Sequence, residues 1–328
     1  MAAQAYGPQG KVSRRNFLSS AGALIAASLL PEKLCSASEP LYPPMDLSYF
    51  ERPLTAAPAE IRFGYAAITW GENDRQAIED VAALGFPGIQ LRANVLKEFG
   101  PKPEALRELL EEHKLTMVAL SSGNLNIDAP EADELAKHLA NARFVHDVGG
   151  LYLQVTDARP RAREVTREDY RRLGRLMTEL GKRTADLGIP LGYHNHMDSL
   201  GERPEEVDWI LAAADPRYAK LELDIAHYLQ GGGDPIQAIE RYHDRHLFLH
   251  IKDLETVHPS APNQKTYRFV ELGRGRVDLP GVFAALRKIG FRGWAVVELD
   301  SVTSPALTPK DCGAISKKYL EEKLGFRI

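Results

Sequence analysis

From Ile61 onward the chain alternates short β-branched or apolar runs with longer segments whose apolar residues recur every three or four positions. The runs span 61–69, 88–92, 116–121, 151–156, 190–196, 219–225, 246–252 and 294–299. Helical segments lie between them. Asp74 is the expected N-cap of a helix carrying Ala77, Ile78, Val81 and Leu84, with Gly85 ending it. Pro103 opens another, with Leu106, Leu109 and Leu110 as its buried stripe, and Thr166 caps a long one ended by Gly188. Pro204, Asp234, Asp278 and Thr308 stand at further starts. Eight strand–helix repeats over 61–328 predict an α/β fold, a closed parallel (β/α)8 TIM barrel forming a single domain. An open doubly wound sheet would carry a Gly-rich phosphate loop after its first strand. Thr69-Trp70-Gly71-Glu72-Asn73 is not one.

The first sixty residues follow a different rule. Ser13-Arg14-Arg15-Asn16-Phe17-Leu18 is a twin-arginine pattern, and an apolar stretch and small residues follow it. Residues 1–37 therefore read as a cleavable signal peptide, which predicts a periplasmic or otherwise exported protein without stable membrane insertion after cleavage. Residues 38–60, rich in proline, read as a linker or extended N-terminal arm.

The formal net charge of the chain is -4, and residues 1–37 hold four cations against one acid, so the remainder is more acidic still. No basic stripe offsets this, which argues against nucleic acid as a partner. Two cysteines, Cys35 and Cys312, form no disulfide framework, and Cys312 reads as a small packed side chain.

In a barrel of this kind, chemistry sits at the C-terminal ends of the strands. The fifth strand ends in Tyr193-His194-Asn195-His196, and the sixth in Glu222-Leu223-Asp224-Ile225-Ala226-His227. The seventh gives His250-Ile251-Lys252-Asp253, and the eighth gives Glu298-Leu299-Asp300. Alternate residues share a face, so His194 and His196 point one way, as do Glu222 and Asp224. Any one of these residues has an ordinary structural reading as a cap or half an ion pair. Gathered at one mouth, they would repel each other and resist burial unless a cation joined them. Mixed imidazole and carboxylate donors suit one divalent ion such as Mn2+, Mg2+, Co2+ or Zn2+.

These residues resemble the xylose isomerase-like superfamily of sugar phosphate isomerases and epimerases, also known as the AP endonuclease 2 family. The similarity runs through Leu221 to His227, Gly231-Gly232-Gly233-Asp234-Pro235, Leu249 to Asp253, Leu272-Gly273-Arg274-Gly275 and Gly293 to Asp300. Tyr193 to Met197 is similar to the fifth strand end of inosose dehydratases, and Ile68-Thr69-Trp70-Gly71 to their first. The resemblance implies Asp224, His250 and Glu298 as metal ligands and His227 as a substrate contact. Epimerases of the family place a glutamate where this chain has His194, with His196 as the competing ligand. Only one of the family's two acid/base glutamates, Glu298, is therefore present.

The expected activity is proton transfer next to a carbonyl of a sugar or keto-sugar, through an enediolate, giving isomerisation or epimerisation. Loss of water from the same intermediate, as in inosose dehydratases, is the alternative. Glu298 is the expected base, His194 or His196 its counterpart, Lys252 an electrostatic or proton-donating helper, and Trp70 a flat wall for substrate. The long segment after Lys252, through Phe269, is a candidate to cover the site or to pack a second copy of the chain in a homo-oligomer.

Overall fold

The computed structural model of the protein describes residues 61–258 and 265–328. The expected signal peptide and arm lie outside the described residues. Eight parallel strands close into a barrel: β1 (Ile61–Ala66), β2 (Gly88–Arg92), β3 (Thr116–Leu125), β4 (Tyr152–Asp157), β5 (Leu191–His194), β6 (Ala219–Asp224), β7 (His246–Ile251) and β10 (Gly293–Val297). They pair in chain order, and β10 closes on β1.

The connecting helices follow the sequence signals closely. They are α1 (Asp74–Ala83), α2 (Leu96–Phe99), α3 (Pro103–Glu112), α4 (Glu131–Val148), α5 (Arg167–Ala185), α6 (Pro204–Ala213), α7 (Ile225–Gln230), α8 (Pro235–Arg241), α9 (Leu279–Lys288) and α10 (Pro309–Glu322). Thr166, Asp234, Asp278 and Thr308 cap α5, α8, α9 and α10 as expected. At α1 the cap is Asn73, whose side chain accepts from the Gln76 amide, and Asp74 is the first helical residue. Both residue types serve as caps, so composition alone left the boundary one residue uncertain.

A small feature was not foreseen. After β7 the chain forms an antiparallel hairpin of β8 (Asp253–Thr256) and β9 (Tyr267–Val270) on the expected long loop. Four-residue strands are too short to show alternation clearly. Asp253 fastens this hairpin to the next turn. Its Oδ1 accepts from the amides of Leu254 (2.8 Å) and Val277 (3.0 Å), and its Oδ2 from those of Gly273 (3.0 Å) and Gly275 (2.9 Å). The glycine-rich turn is thus a structural latch.

Two apolar layers hold the fold. One lies between strands and helices. The other fills the lower barrel, where Trp294, Phe248, Val118 and Val296 are buried and Tyr152 stacks on Phe248 at 5.5 Å. Gly88 exists for that plug, since a Cβ there would sit 2.4 Å from Trp294 Cζ3. Polar strand ends therefore rest on a dry floor.

Two results are expected for the scaffold. Asp253→Ala leaves four backbone amides without their acceptor and should lower unfolding free energy by roughly 3 kcal/mol in denaturant titrations. A loss under about 0.5 kcal/mol would contradict the latch. Burial pushes His138 and His246 down to about 4, from the ordinary 6.5. The unfolded chain takes up these protons near 6.5 while the folded chain resists until about 4, so stability is full above 6.5 and falls between those pH values. Urea unfolding at pH 7 and pH 5 should show this drop, and His246→Phe should diminish it.

Candidate metal centre and active site

His194, Asp224, His250 and Glu298 meet at the mouth of the barrel. One donor atom of each lies within 4.8 Å of the others, and all four side chains are buried. The strand register produces the meeting. Asp224 pairs with His250, His194 pairs with Glu222 two residues before Asp224, and Glu298 follows β10 directly.

Backbone contacts aim each group. Asp224 Oδ1 accepts from the amides of Ala226 and His227, both at 2.8 Å, and so caps α7. Oδ2 has no hydrogen-bond partner among the described residues. Asn195 bridges to the Asp224 backbone, accepting from its N–H at 3.0 Å and donating to its carbonyl at 3.1 Å. This side-chain amide extends the β5–β6 ladder by one rung beyond His194. Asp157 anchors the loop that follows, taking the Tyr193 hydroxyl at 2.7 Å and the Leu200 amide at 2.5 Å.

The electrostatics follow from burial and proximity. His250 Nδ1 lies 2.6 Å from Glu298 Oε2, and its Nε2 lies 2.5 Å from Glu222 Oε1 and 2.7 Å from Gln90 Oε1. Burial disfavours the His250 cation, but Glu222 and Glu298 outweigh it and hold its pKa well above the usual range. Burial raises the Glu298 carboxyl, yet His250 and Lys252 bring it well below its ordinary value. His194 is pushed far down by burial and then by His250, so its imidazole is neutral. Glu222 is pushed up to about 7 by burial, against the pull of His250.

Lys252 is 1% exposed, with Nζ 2.5 Å from Asp300 Oδ1, 3.4 Å from Glu298 Oε2 and 4.0 Å from the Phe269 ring centroid. Burial works against its charge, and the carboxylates of Glu298, Asp300 and Asp224 more than offset this, raising its pKa. Phe269, on β9, is how the unforeseen hairpin reaches the site.

A cavity of 480 Å³ opens above the cluster. His194, His196, Glu298 and Asp300 line one side, and Arg92, Asn94, Ser121, Asn124 and Thr156 line another. The lining is largely polar, as a polyhydroxylated ligand would need.

Trp70 and His227 sit outside the cavity lining, and His196 lines the cavity without joining the four-donor group. The chain enters a 3-10 turn at Ala67, which breaks strand alternation, and the indole backs onto Tyr65 and donates to Asp80 at 2.9 Å. Ile68 faces the cavity instead, a correction to the expected substrate wall. His196 lies beyond the end of β5, donates from Nδ1 to the Met197 carbonyl at 2.5 Å, and packs at a tilt against His227 with ring centroids 3.8 Å apart. His194, rather than His196, joins the four-donor group. His227 is 1% exposed and lies outside the cavity lining.

His194, His196 and His227 also approach each other closely enough to suggest a second ion. The His227 Nδ1 accepts from the Met197 amide at 3.1 Å, so the hydrogen of a neutral ring is on Nε2, 3.4 Å from the Lys252 ammonium. A protonated nitrogen beside a fixed cation is a poor metal donor. The first group fits far better. It offers two imidazoles and two carboxylates, with the Asp224 Oδ2 and His250 Nδ1 buried and without hydrogen-bond partners among the described residues.

Gln90, Asn195 and the cavity wall from β2 to β4 escaped the sequence reading. That reading favoured titratable residues, although Gln90 passes the strand-end test as well as His250 does.

The fold and mouth define a (β/α)8 barrel with a buried four-donor group that could hold a metal ion, beneath a polar cavity. The chain belongs to the xylose isomerase-like TIM barrel family, whose sequence pattern matches residues 78–318. It is similar to the inosose dehydratase of Geobacillus kaustophilus, 26% identical over 294 residues, covering 79% of this chain and 94% of that one. Among solved structures it is similar in fold to the IOLI protein with a bound zinc atom (TM-score 0.68, 18% identity, 81% of this chain and 100% of that one). A D-allulose 3-epimerase from Methylomonas has a TM-score of 0.64 at 20% identity, covering 82% of this chain and 100% of that one.

Proposed function

We propose that this protein is a metal-dependent enzyme that removes a proton next to the carbonyl of a keto-sugar or keto-cyclitol, with loss of water as the favoured outcome. The observation that carries the reading is the meeting of His194, Asp224, His250 and Glu298 beneath a polar cavity, with the Lys252 ammonium 3.4 Å from Glu298. A divalent ion held by those four side chains would supply Lewis acidity at a substrate carbonyl. Among Zn2+, Mn2+, Mg2+ and Co2+, a donor set with two imidazoles favours Zn2+, Mn2+ or Co2+.

Glu298 is the base. It lines the cavity, and His250 and Lys252 keep it deprotonated. Lys252 stabilises negative charge that grows near Glu298 while substrate is deprotonated. Neutral His194, committed to the donor group, supplies no acid on the opposite side. One carboxyl group can complete a dehydration alone. Glu298 takes the proton from the carbon next to the carbonyl, then returns it to the β-hydroxyl, which leaves as water as the carbon–carbon double bond forms. Epimerisation needs a second proton donor across the substrate. His196, which lines the same cavity, is the observation favouring that second reading. Similarity to inosose dehydratases supports the first. Export by the twin-arginine route is a separate proposal, resting on Ser13 to Leu18.

Two measurements test the reading. Metal analysis of purified protein should find about one divalent ion per chain, and Asp224→Ala should lose it while keeping the wild-type circular dichroism. Full metal occupancy in the folded variant would contradict the assignment. Incubation with an inosose should release water and generate an ultraviolet-absorbing enone, and Glu298→Gln should lower kcat by about 100-fold to 10,000-fold. Solvent deuterium appearing next to the carbonyl without enone would move the balance to epimerisation. Neither signal with any keto-sugar or inosose would defeat both readings.

A further inference from the structure

Glu222 is a buried acid for which the proposed reaction has no direct use. It lies on β6 two residues before Asp224, so both carboxylates face the barrel interior, and it is fully buried. Its oxygens meet imidazoles. Oε1 is 2.5 Å from His250 Nε2, and Oε2 is 3.6 Å from His194 Nδ1. Register explains the arrangement, since Glu222 pairs with His194 on one side and with Phe248, two residues before His250, on the other. Gln90 on β2 adds a second acceptor at His250 Nε2, 2.7 Å away.

A carboxylate without solvent is retained in a core only where its partners need it. Neither Glu222 oxygen has a well-aligned hydrogen-bond donor among the described residues, which leaves its close contacts with the two rings. A neutral imidazole has one N–H and one lone pair, and the nitrogen facing an acceptor carries the hydrogen. Both His250 nitrogens face acceptors, so a bound cation would take the place of one ring hydrogen; Nε2, against Glu222 and Gln90, keeps its own, and Nδ1, 2.6 Å from Glu298 Oε2 and 3.7 Å from Asp224 Oδ2, is the nitrogen turned to the centre. With His194 Nδ1 turned to Glu222, the lone pair of that ring falls on Nε2. Glu222 itself stands outside the group whose donor atoms converge within 4.8 Å.

We propose that Glu222 is the positioning residue of the metal centre, a single carboxylate beneath His194 and His250 that fixes which nitrogen each ring offers to the ion. The inference rests on the reading of His194, Asp224, His250 and Glu298 as the cation site. Its negative charge beside both rings also strengthens them as donors, as outer carboxylates do for ligating histidines.

The test uses the full chain, stripped of metal with a chelator and titrated with Zn2+ by calorimetry. Glu222→Gln should bind Zn2+ about 10-fold to 100-fold more weakly than wild type while keeping its circular dichroism. The visible bands of the Co2+-loaded variant should shift, which a purely structural role would not cause. Gln90→Leu should weaken Zn2+ binding in the same direction by a smaller factor, and it decides the matter if Glu222→Gln fails to fold. Tight binding by wild type with unchanged affinity in the folded variants would overturn the role of Glu222 alone. No Zn2+ binding by wild type would remove the metal centre, and this role with it.

Discussion

Everything at the mouth of this barrel depends on the mutual repulsion and desolvation of acids brought together out of water. Asp224, Glu222 and Glu298 are buried within one cluster, and among the described residues His250 and Lys252 answer them with positive charge. Such an arrangement is stable only if the groups are held rigidly and balanced by cations. Both conditions are visible. The Trp294–Phe248 plug supplies a close-packed floor, and the parallel register sets neighbouring strand ends side by side.

Holding the groups in place uses backbone more than side-chain pairing. Asp224 divides its carboxylate, with one oxygen capping α7 and the other left facing the centre. Asn195 continues the sheet with a side-chain amide, and Asp157 and Asp253 each gather the amides of a loop. Rigid elements thus hold the clustered groups, while the strand ends from β2 to β4 supply the polar side chains of the opposite cavity wall.

The barrel was legible in the sequence because its signals are local and repeated. Thr166, Asp234, Asp278 and Thr308 cap helices where the pattern placed them, and Gly88–Arg92 is a strand with the predicted limits. Asp224, His250 and Glu298 were legible as candidates because they stand at strand ends that face the mouth and because the resemblance implied them as ligands; the structure brings them together with His194. Alternation failed where strands ended early. β5 stops at His194, so His196 escaped the period of two, and the turn at Ala67 rotated Trp70 away from the cavity. The roles of Glu222, Gln90 and Asn195 depend on contacts across strands, which no single segment displays.

The central claim is that one cation joins four particular side chains. Crystals of the full chain soaked in Zn2+, measured on both sides of the zinc absorption edge, test it most directly. One strong anomalous peak bonded to His194, Asp224, His250 and Glu298 is expected, with Glu222 behind the two imidazoles. A peak at His196 and His227 instead, or no ordered zinc at the barrel mouth, would contradict it.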